Sequence, residues 1–328
     1  MIKRWPTWTF KRRSISIEFH RSLVGPVVLM MKRFDRRLIA KKMNTQFWVT
    51  QVFYGVSYGA LLFLVGSGLS LIFGVMRIVN LSHGSYFMLG GYIALSVINT
   101  TGSWALSLPV AALAVAVIGL VMERVFLRPL GFEPLRQVLL TVGFAFLFQQ
   151  AALDIWGGNN MDINPPAALT RSIVVAGIYL PLYRVFMIGM ALAIGILLWL
   201  AMEKTRMGAA VRATVDDAQM ARGVGIDTNR ISMFIFALGA FLAALGGVIG
   251  GAFLGVFPGL DFEMLPLAFA VVIIGGMGSL GGAAIGALAV GLADNFGKAL
   301  FPEVSYFTLY APMVLILAIK PTGLFGRD

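Results

Sequence analysis

The 328-residue chain has no cysteine, only two histidines, and charged residues at 12% of its length. Without cysteine, disulfides, thiolate zinc sites and iron–sulfur clusters are excluded. His83 has only His20, in the basic head, as a second imidazole, so a histidine metal site has little to build on. Charge is also segregated. Residues 1–42 hold 12 of the 26 Lys and Arg and 2 of the 15 Asp and Glu, leaving 14 and 13 for the remainder, so the net +11 divides into +10 for the head and +1 for the body. A basic excess confined to one terminal segment describes that segment and gives the body no footing on nucleic acid. A phosphate-binding loop is missing too. Before Gly297-Lys298 the position that needs glycine is Leu292, and the residue that follows is Ala299, so G-x-x-x-x-G-K-[ST] is not met. Nucleotide hydrolysis, where the function needs it, must come from another chain.

What fills the chain is apolar surface: 59% of residues are hydrophobic and the mean hydropathy is +0.86, a composition no soluble fold can hide from water. No charged residue occurs from Met43 to Met76. The stretch Phe47–Gly74 would be about 42 Å long as one helix, more than the roughly 30 Å of a hydrocarbon core. After Arg77 no formal charge appears until Glu123, room for two helices broken at Asn99-Thr100-Thr101-Gly102-Ser103. Further apolar segments run over 137–152, 185–202, 231–257, 264–296 and 304–319, and the fourth is divided by the glycine run 275–282. These runs predict an all-α integral membrane protein, a polytopic bundle of eight to ten crossings with nine as the central value and with broken or re-entrant segments.

Orientation follows from the basic loops. Segments 123–136 and 203–230 and the tail with Lys320 and Arg327 are expected in the cytoplasm; 99–103, 157–184 and 258–263, poor in Lys and Arg, are expected outside. Counting back puts the residues before Phe47 outside, which conflicts with the ten net positive charges written there. The head has one short apolar run, Leu23–Met31, too short to span and followed by basic residues where a cleavage site would belong. Residues 1–42 are therefore expected to be an upstream extension, with translation starting at Met43; the competing account is a cytoplasmic arm that binds anionic lipid and adds a crossing. Residues 43–328 form the transmembrane domain.

Asn80-Leu81-Ser82-His83-Gly84 lies between two apolar stretches, where polar groups are costly unless they pair or line a wet cavity. Two readings fit it: a broken helix bordering a solute pathway, or an interfacial turn whose Asn and Ser cap the next helix. The run Gly275–Gly282 is expected to unwind a helix within the membrane; its placement resembles that of 74–91, one interrupted segment per half. Gly55/Gly59, Gly247/Gly251/Gly255 and Gly282/Gly286 are GxxxG pairs that let helices approach closely. In 203–230, Thr214-x-x-Asp217 is expected to act as a capping box opening a short helix through Ala221, stopped by Gly223 and Gly225. Such a helix between two spanning helices suits contact with a motor subunit; a solvated loop is the plain alternative.

These motifs resemble the branched-chain amino acid ABC transporter permeases of the LivH type. The resemblance spans about 46–327. It rests on Asn80-Leu81-Ser82-His83-Gly84, Glu123-Arg124-Val125 with Arg128-Pro129, and Thr205-Arg206-Met207-Gly208 with Arg212-Ala213. It continues through Gly225-Ile226-Asp227-Thr228-Asn229-Arg230, Gly275-Gly276-Met277-Gly278-Ser279 and Lys320-Pro321-Thr322-Gly323-Leu324-Phe325-Gly326. It implies a heteromeric importer: this permease in the lipid bilayer beside a second, homologous permease, two cytoplasmic ATP-binding subunits, and a periplasmic solute-binding protein. No cofactor would be bound by this chain, ATP being used by the partners. Coupling would fall to Arg206, Gly208, Arg212, Asp216, Asp217 and Gly225, and the substrate pathway to Asn80, Ser82, His83, Gly84, Gly275, Gly276, Gly278 and Ser279. The cargo expected is leucine, isoleucine or valine, with urea, short amides or a monosaccharide as alternatives. An ion-coupled secondary transporter is disfavoured because Asp154, Asp261, Glu263 and Asp294 read as lying at segment ends or in a loop.

Overall fold

The computed structural model describes residues 45–131, 133–175, 177–320 and 322–326. By its internal contacts the chain forms two units, Met1–Val49 and Thr50–Asp328. Only Thr45–Val49 of the first is described, and the basic head at 1–42 lies outside the described residues.

Uninterrupted apolar runs become helices: α1 (Thr45–Met76), α2 (His83–Thr101), α3 (Trp104–Val121), α4 (Pro134–Trp156) and α5 (Leu182–Lys204). Two short helices follow, α6 (Arg206–Asp216) and α7 (Ala218–Gly223), then α8 (Thr228–Leu254), α9 (Leu260–Gly275), α10 (Leu280–Leu300) and α11 (Ser305–Ile319). Helix α3 continues through a π turn, Met122–Leu127, and a 3-10 turn, Arg128–Leu130. Among the described residues six helices are long and apolar enough to cross a membrane: α1, α3 with its extension, α4, α5, α8 and α10. The shorter α2, α9 and α11, of 19, 16 and 15 residues, raise to nine the helices of at least 15 residues among the described residues. Between α4 and α5 stands an antiparallel hairpin not expected from the sequence, β1 (Ser172–Val175) with β2 (Ile178–Pro181), in which Val175 faces Ile178.

The bundle interior is α2 and α8, flanked by α1, α3 and α9. Tyr86, Phe87, Met88 and Tyr92 of α2 are fully buried, as are Phe236, Ala240 and Ala243 of α8. Such closeness requires missing side chains: a Cβ on Gly68 of α1 would stand 3.1 Å from Gly239 Cα of α8. In lipid, where no hydrophobic force drives helices together, van der Waals contact between small-residue faces supplies much of the association. Gly55 and Gly59 meet Gly291 of α10, Gly247 meets the Phe87 carbonyl, and Gly286 meets the Val271 carbonyl, as the GxxxG spacing predicts. Gly255 does otherwise: at φ +77° it ends α8 rather than packing on its face.

Two breaks interrupt the bundle. The first, 77–82, begins at Arg77, which at φ +54° is the one non-glycine residue with positive φ among those described. The second, 276–279, turns through Gly276 and Gly278 at φ +100° and +80°, and Ser279 caps α10 by accepting from Gly282 N–H at 3.0 Å. They adjoin: a Cβ on Gly74, at the end of α1, would lie 2.8 Å from Gly278 Cα. The C-terminal segment seals the second break, with Leu324 N–H donating to the Ile274 carbonyl and Phe325 N–H to that of Gly275, each at 3.0 Å.

Candidate functional site

At the first break, Asn80, Ser82 and His83 are fully buried. Asn80 Oδ1 accepts from Ser82 N–H at 3.1 Å and from Ser82 Oγ–H at 2.7 Å, a local turn that competes with helix. Neither side chain caps α2, so the interfacial capping turn is not what the structure shows. His83 Nε2 lies 3.0 Å from the Val65 carbonyl. A carbonyl only accepts, so this nitrogen carries the proton. Val65 stands eleven residues before the end of α1, about 16 Å along its axis, so the break reaches deep along α1. Gly84 is pressed on the backbone of Asp261, with Leu265 Cβ 3.1 Å from where its own Cβ would be, and Ser85 Oγ–H donates to Asp261 Oδ2 at 2.9 Å. Buried Asn80 Nδ2, His83 Nδ1, Glu123 Oε2 and Asp261 Oδ1 have no partner among the described residues, an arrangement that costs free energy unless water or another state satisfies it.

Beside this polar centre runs a groove of about 1250 Å³ between α1, α5, α6 and the start of α10. Its walls are mostly apolar, with Val56, Phe63 and Leu71 from α1 opposite Ile188, Gly195 and Trp199 from α5. Phe63 narrows it, its Cε1 3.2 Å from a Cβ built on Gly195. Charge collects at the α6 end, where Arg77, Glu203, Arg212 and Asp216 line the groove; Arg212 lies 3.8 Å from Glu203 and donates to the Met202 carbonyl. Of the pathway residues expected from sequence, Gly278 and Ser279 are on the wall. Asn80, Ser82, His83, Gly84, Gly275 and Gly276 are not. The α5 wall escaped sequence reasoning because α5 is apolar on every side, and a period shows only where polar residues mark the other face.

The segment 203–230 holds two helices rather than one. Thr205 caps α6, accepting from Gly208 N–H at 3.0 Å. Asp217 caps α7, its Oδ1 accepting from Gln219 and Met220 N–H at 2.8 and 2.9 Å. The expected capping box is therefore corrected: Thr214 lies inside α6 and its hydroxyl donates to the Ala210 carbonyl at 2.8 Å, while Asp217 is itself the cap. Gly225, at φ +90°, follows α7 as expected. Arg206, Asp217 and Gly225 are exposed, Gly208 is buried against the end of α5, and Arg212 and Asp216 face the groove. Met207, Met220 and Val224 expose 44%, 65% and 71% of their surface.

The carboxylates lie toward helix ends, as expected: Asp261 and Glu263 in the first turn of α9, Asp154 near the end of α4 and Asp294 in the last third of α10. Asp261 and Asp294 are 2% and 6% exposed, and Glu123, inside the π turn, is 2% exposed. Asp294 is paired with Lys298 at 2.7 Å. Their burial depends on neighbours far away in sequence, such as Ser85 for Asp261.

Long apolar helices, two adjoining breaks and a groove along one spanning helix define a multi-pass transport subunit. The pattern of the family described as "Branched-chain amino acid transport system / permease component" matches residues 51–317, so the chain belongs to that family. It is 31% identical over 306 residues to the high-affinity branched-chain amino acid transport system permease protein LivH of Escherichia coli, covering 87% of this chain and 98% of that one. To BraD of Pseudomonas aeruginosa, of the same description, it is 29% identical over 297 residues, 85% and 96% of the two chains. The autoinducer 2 import system permease protein LsrC of Salmonella paratyphi B is 30% identical over 217 residues, 61% of each. No solved structure matches the chain. The protein is thus a multi-pass permease subunit of an ATP-binding cassette importer in the bacterial inner membrane. It is not an enzyme, and it works with a separate ATPase and a binding protein.

Proposed function

We propose that this permease carries leucine, isoleucine and valine inward by alternating access, and that the groove along α5 is its share of the pathway. The supporting observation is that groove: apolar over most of its length, as an aliphatic side chain requires, and charged at the α6 end. A second, homologous permease would close its open side. Two ATP-binding subunits would press on α6 and α7 through Arg206, Asp217 and Gly225, and Gly208, Arg212 and Asp216 would pass that motion to the groove. ATP is bound by those partners, and this chain needs no cofactor. The buried break at Asn80, Ser82, His83 and Gly84, with Gly275 and Gly276, is the part that rearranges, because its unpartnered Asn80 Nδ2 and His83 Nδ1 gain partners when water or solute reaches them.

The test is substrate competition in cells that carry the importer as their only route for leucine. Uptake of labelled leucine should be suppressed by excess isoleucine and valine and left alone by urea, acetamide and ribose. Suppression by ribose or urea, and none by valine, would replace the cargo while keeping the importer class, and the similarity to an autoinducer 2 import permease is the reason to include solutes other than amino acids.

A further inference from the structure

Among the groove-lining residues of α5, Ile188, Ala191, Gly195, Trp199 and Met202 recur every three or four positions and form one stripe. One turn before Ile188 the same stripe is continued by Arg184, and Glu203 ends it. From Arg184 to Glu203 the stripe is about 28 Å long, close to the thickness of a hydrocarbon core.

Arg184 is held in an unusual way. Its guanidinium carbon lies 4.0 Å from the Tyr54 ring centroid and 4.5 Å from that of Phe253. Nη1–H donates to Ser57 Oγ at 3.0 Å, and no carboxylate among the described residues pairs with it. Ring contacts of this kind engage the face of a guanidinium; its five N–H donors point outward in its plane, and one of them is used. A half-buried cation with a free planar fork matches the geometry of a carboxylate, which it can bind in bidentate fashion. Neither Arg184 nor Ser57 lines the groove, but Val56 of α1 and Ile188 of α5, its last lining residues at the end away from α6, do, so the fork lies just past that end, one turn beyond Ile188 on α5.

We propose that Arg184 recognises the α-carboxylate of an amino acid at the outer end of the groove, while the apolar walls below receive its side chain. This rests on the amino-acid cargo proposed above. Packing between two aromatic rings fixes the fork without neutralising it, so the carboxylate meets a preorganised partner, and the groove beyond offers no second cation before Arg77 and Arg212 near its other end.

The complete importer in proteoliposomes tests this with wild type, R184K and R184Q. Leucine moved and ATP hydrolysed are measured together, with leucine-loaded binding protein outside. R184Q should lower leucine transported per ATP by about tenfold or more, the loss of a charge-assisted hydrogen bond, with stimulated ATP hydrolysis near wild type. R184K, which keeps the charge without the fork, should fall between. An unchanged ratio in R184Q overturns the proposal. So does a parallel fall of uptake and stimulated hydrolysis, which would assign Arg184 to docking the binding protein or, if the melting temperature also drops, to folding. A wild type that carries a solute without a carboxylate and ignores leucine would overturn the cargo reading and the proposal with it; leucine transport with an unchanged ratio overturns the proposal alone.

Discussion

Glycines that look alike in sequence have different structural roles here. Gly247 of α8 faces α2 so closely that an added Cβ would be 2.8 Å from the Phe87 carbonyl carbon and 3.1 Å from Gly91 N, whereas a Cβ on Gly189 of α5 would meet nothing within 4 Å. Gly247→Leu is expected to cost about 3 kcal/mol or more through overpacking and to lower the melting temperature in detergent sharply. Gly189→Ala should leave it equal or slightly higher, since alanine is the better helix former by about 1 kcal/mol. His83 gives a second contrast at this scale. Its side chain's one hydrogen bond among the described residues is a donation to the Val65 carbonyl, which glutamine can reproduce and leucine cannot. His83→Gln should keep much of the leucine uptake, while His83→Leu should lose more, with a buried-group penalty of about 1–3 kcal/mol. Equal uptake in the two variants would remove any need for a donor at this position.

Among the elements, α6 and α7 carry the coupling hypothesis. Asp217→Arg removes the cap of α7 and reverses an exposed charge; Gly225→Trp puts a bulky side chain where φ is +90°, a conformation that L residues rarely adopt. Both variants should insert into the membrane normally yet retain less ATPase in pull-downs. Asp217→Asn should behave like wild type, because asparagine caps equally well. Full ATPase retention and full transport in both disruptive variants would reduce the segment to a solvated connection. Helices such as α4 and α8 were legible in sequence because long uncharged runs have a single reading, and the α9–α10 boundary because two residues at strongly positive φ demand glycine. Features made by distant partners were not legible. The burial of Asp261 depends on Ser85, the tail reaches back to Ile274 and Gly275, and α6 was missed because a short charged helix lacks the apolar run that marked the others. Of the candidate pathway, Gly278 and Ser279 reach the groove while Asn80 to Gly84 form a sealed break beside it, a distinction that depends on how α1 and α2 pack rather than on which residues they contain.

For the molecule as a whole, family and fold agree on a permease driven by separate ATPases, and the buried Glu123, Asp261 and Asp294 mark where an ion-coupled mechanism would have to reside if that account were wrong. The deciding measurement is the energy source of leucine accumulation in proteoliposomes. These would hold either the complete importer or this chain alone, with binding protein outside and ATP, a proton gradient or a sodium gradient supplied in turn. The account predicts accumulation only with ATP and catalytically competent partner ATPases, and neither uptake nor ATP hydrolysis by the isolated chain. Gradient-driven leucine accumulation by the isolated chain, or ATP turnover by it free of contaminating ATPase, would contradict the account.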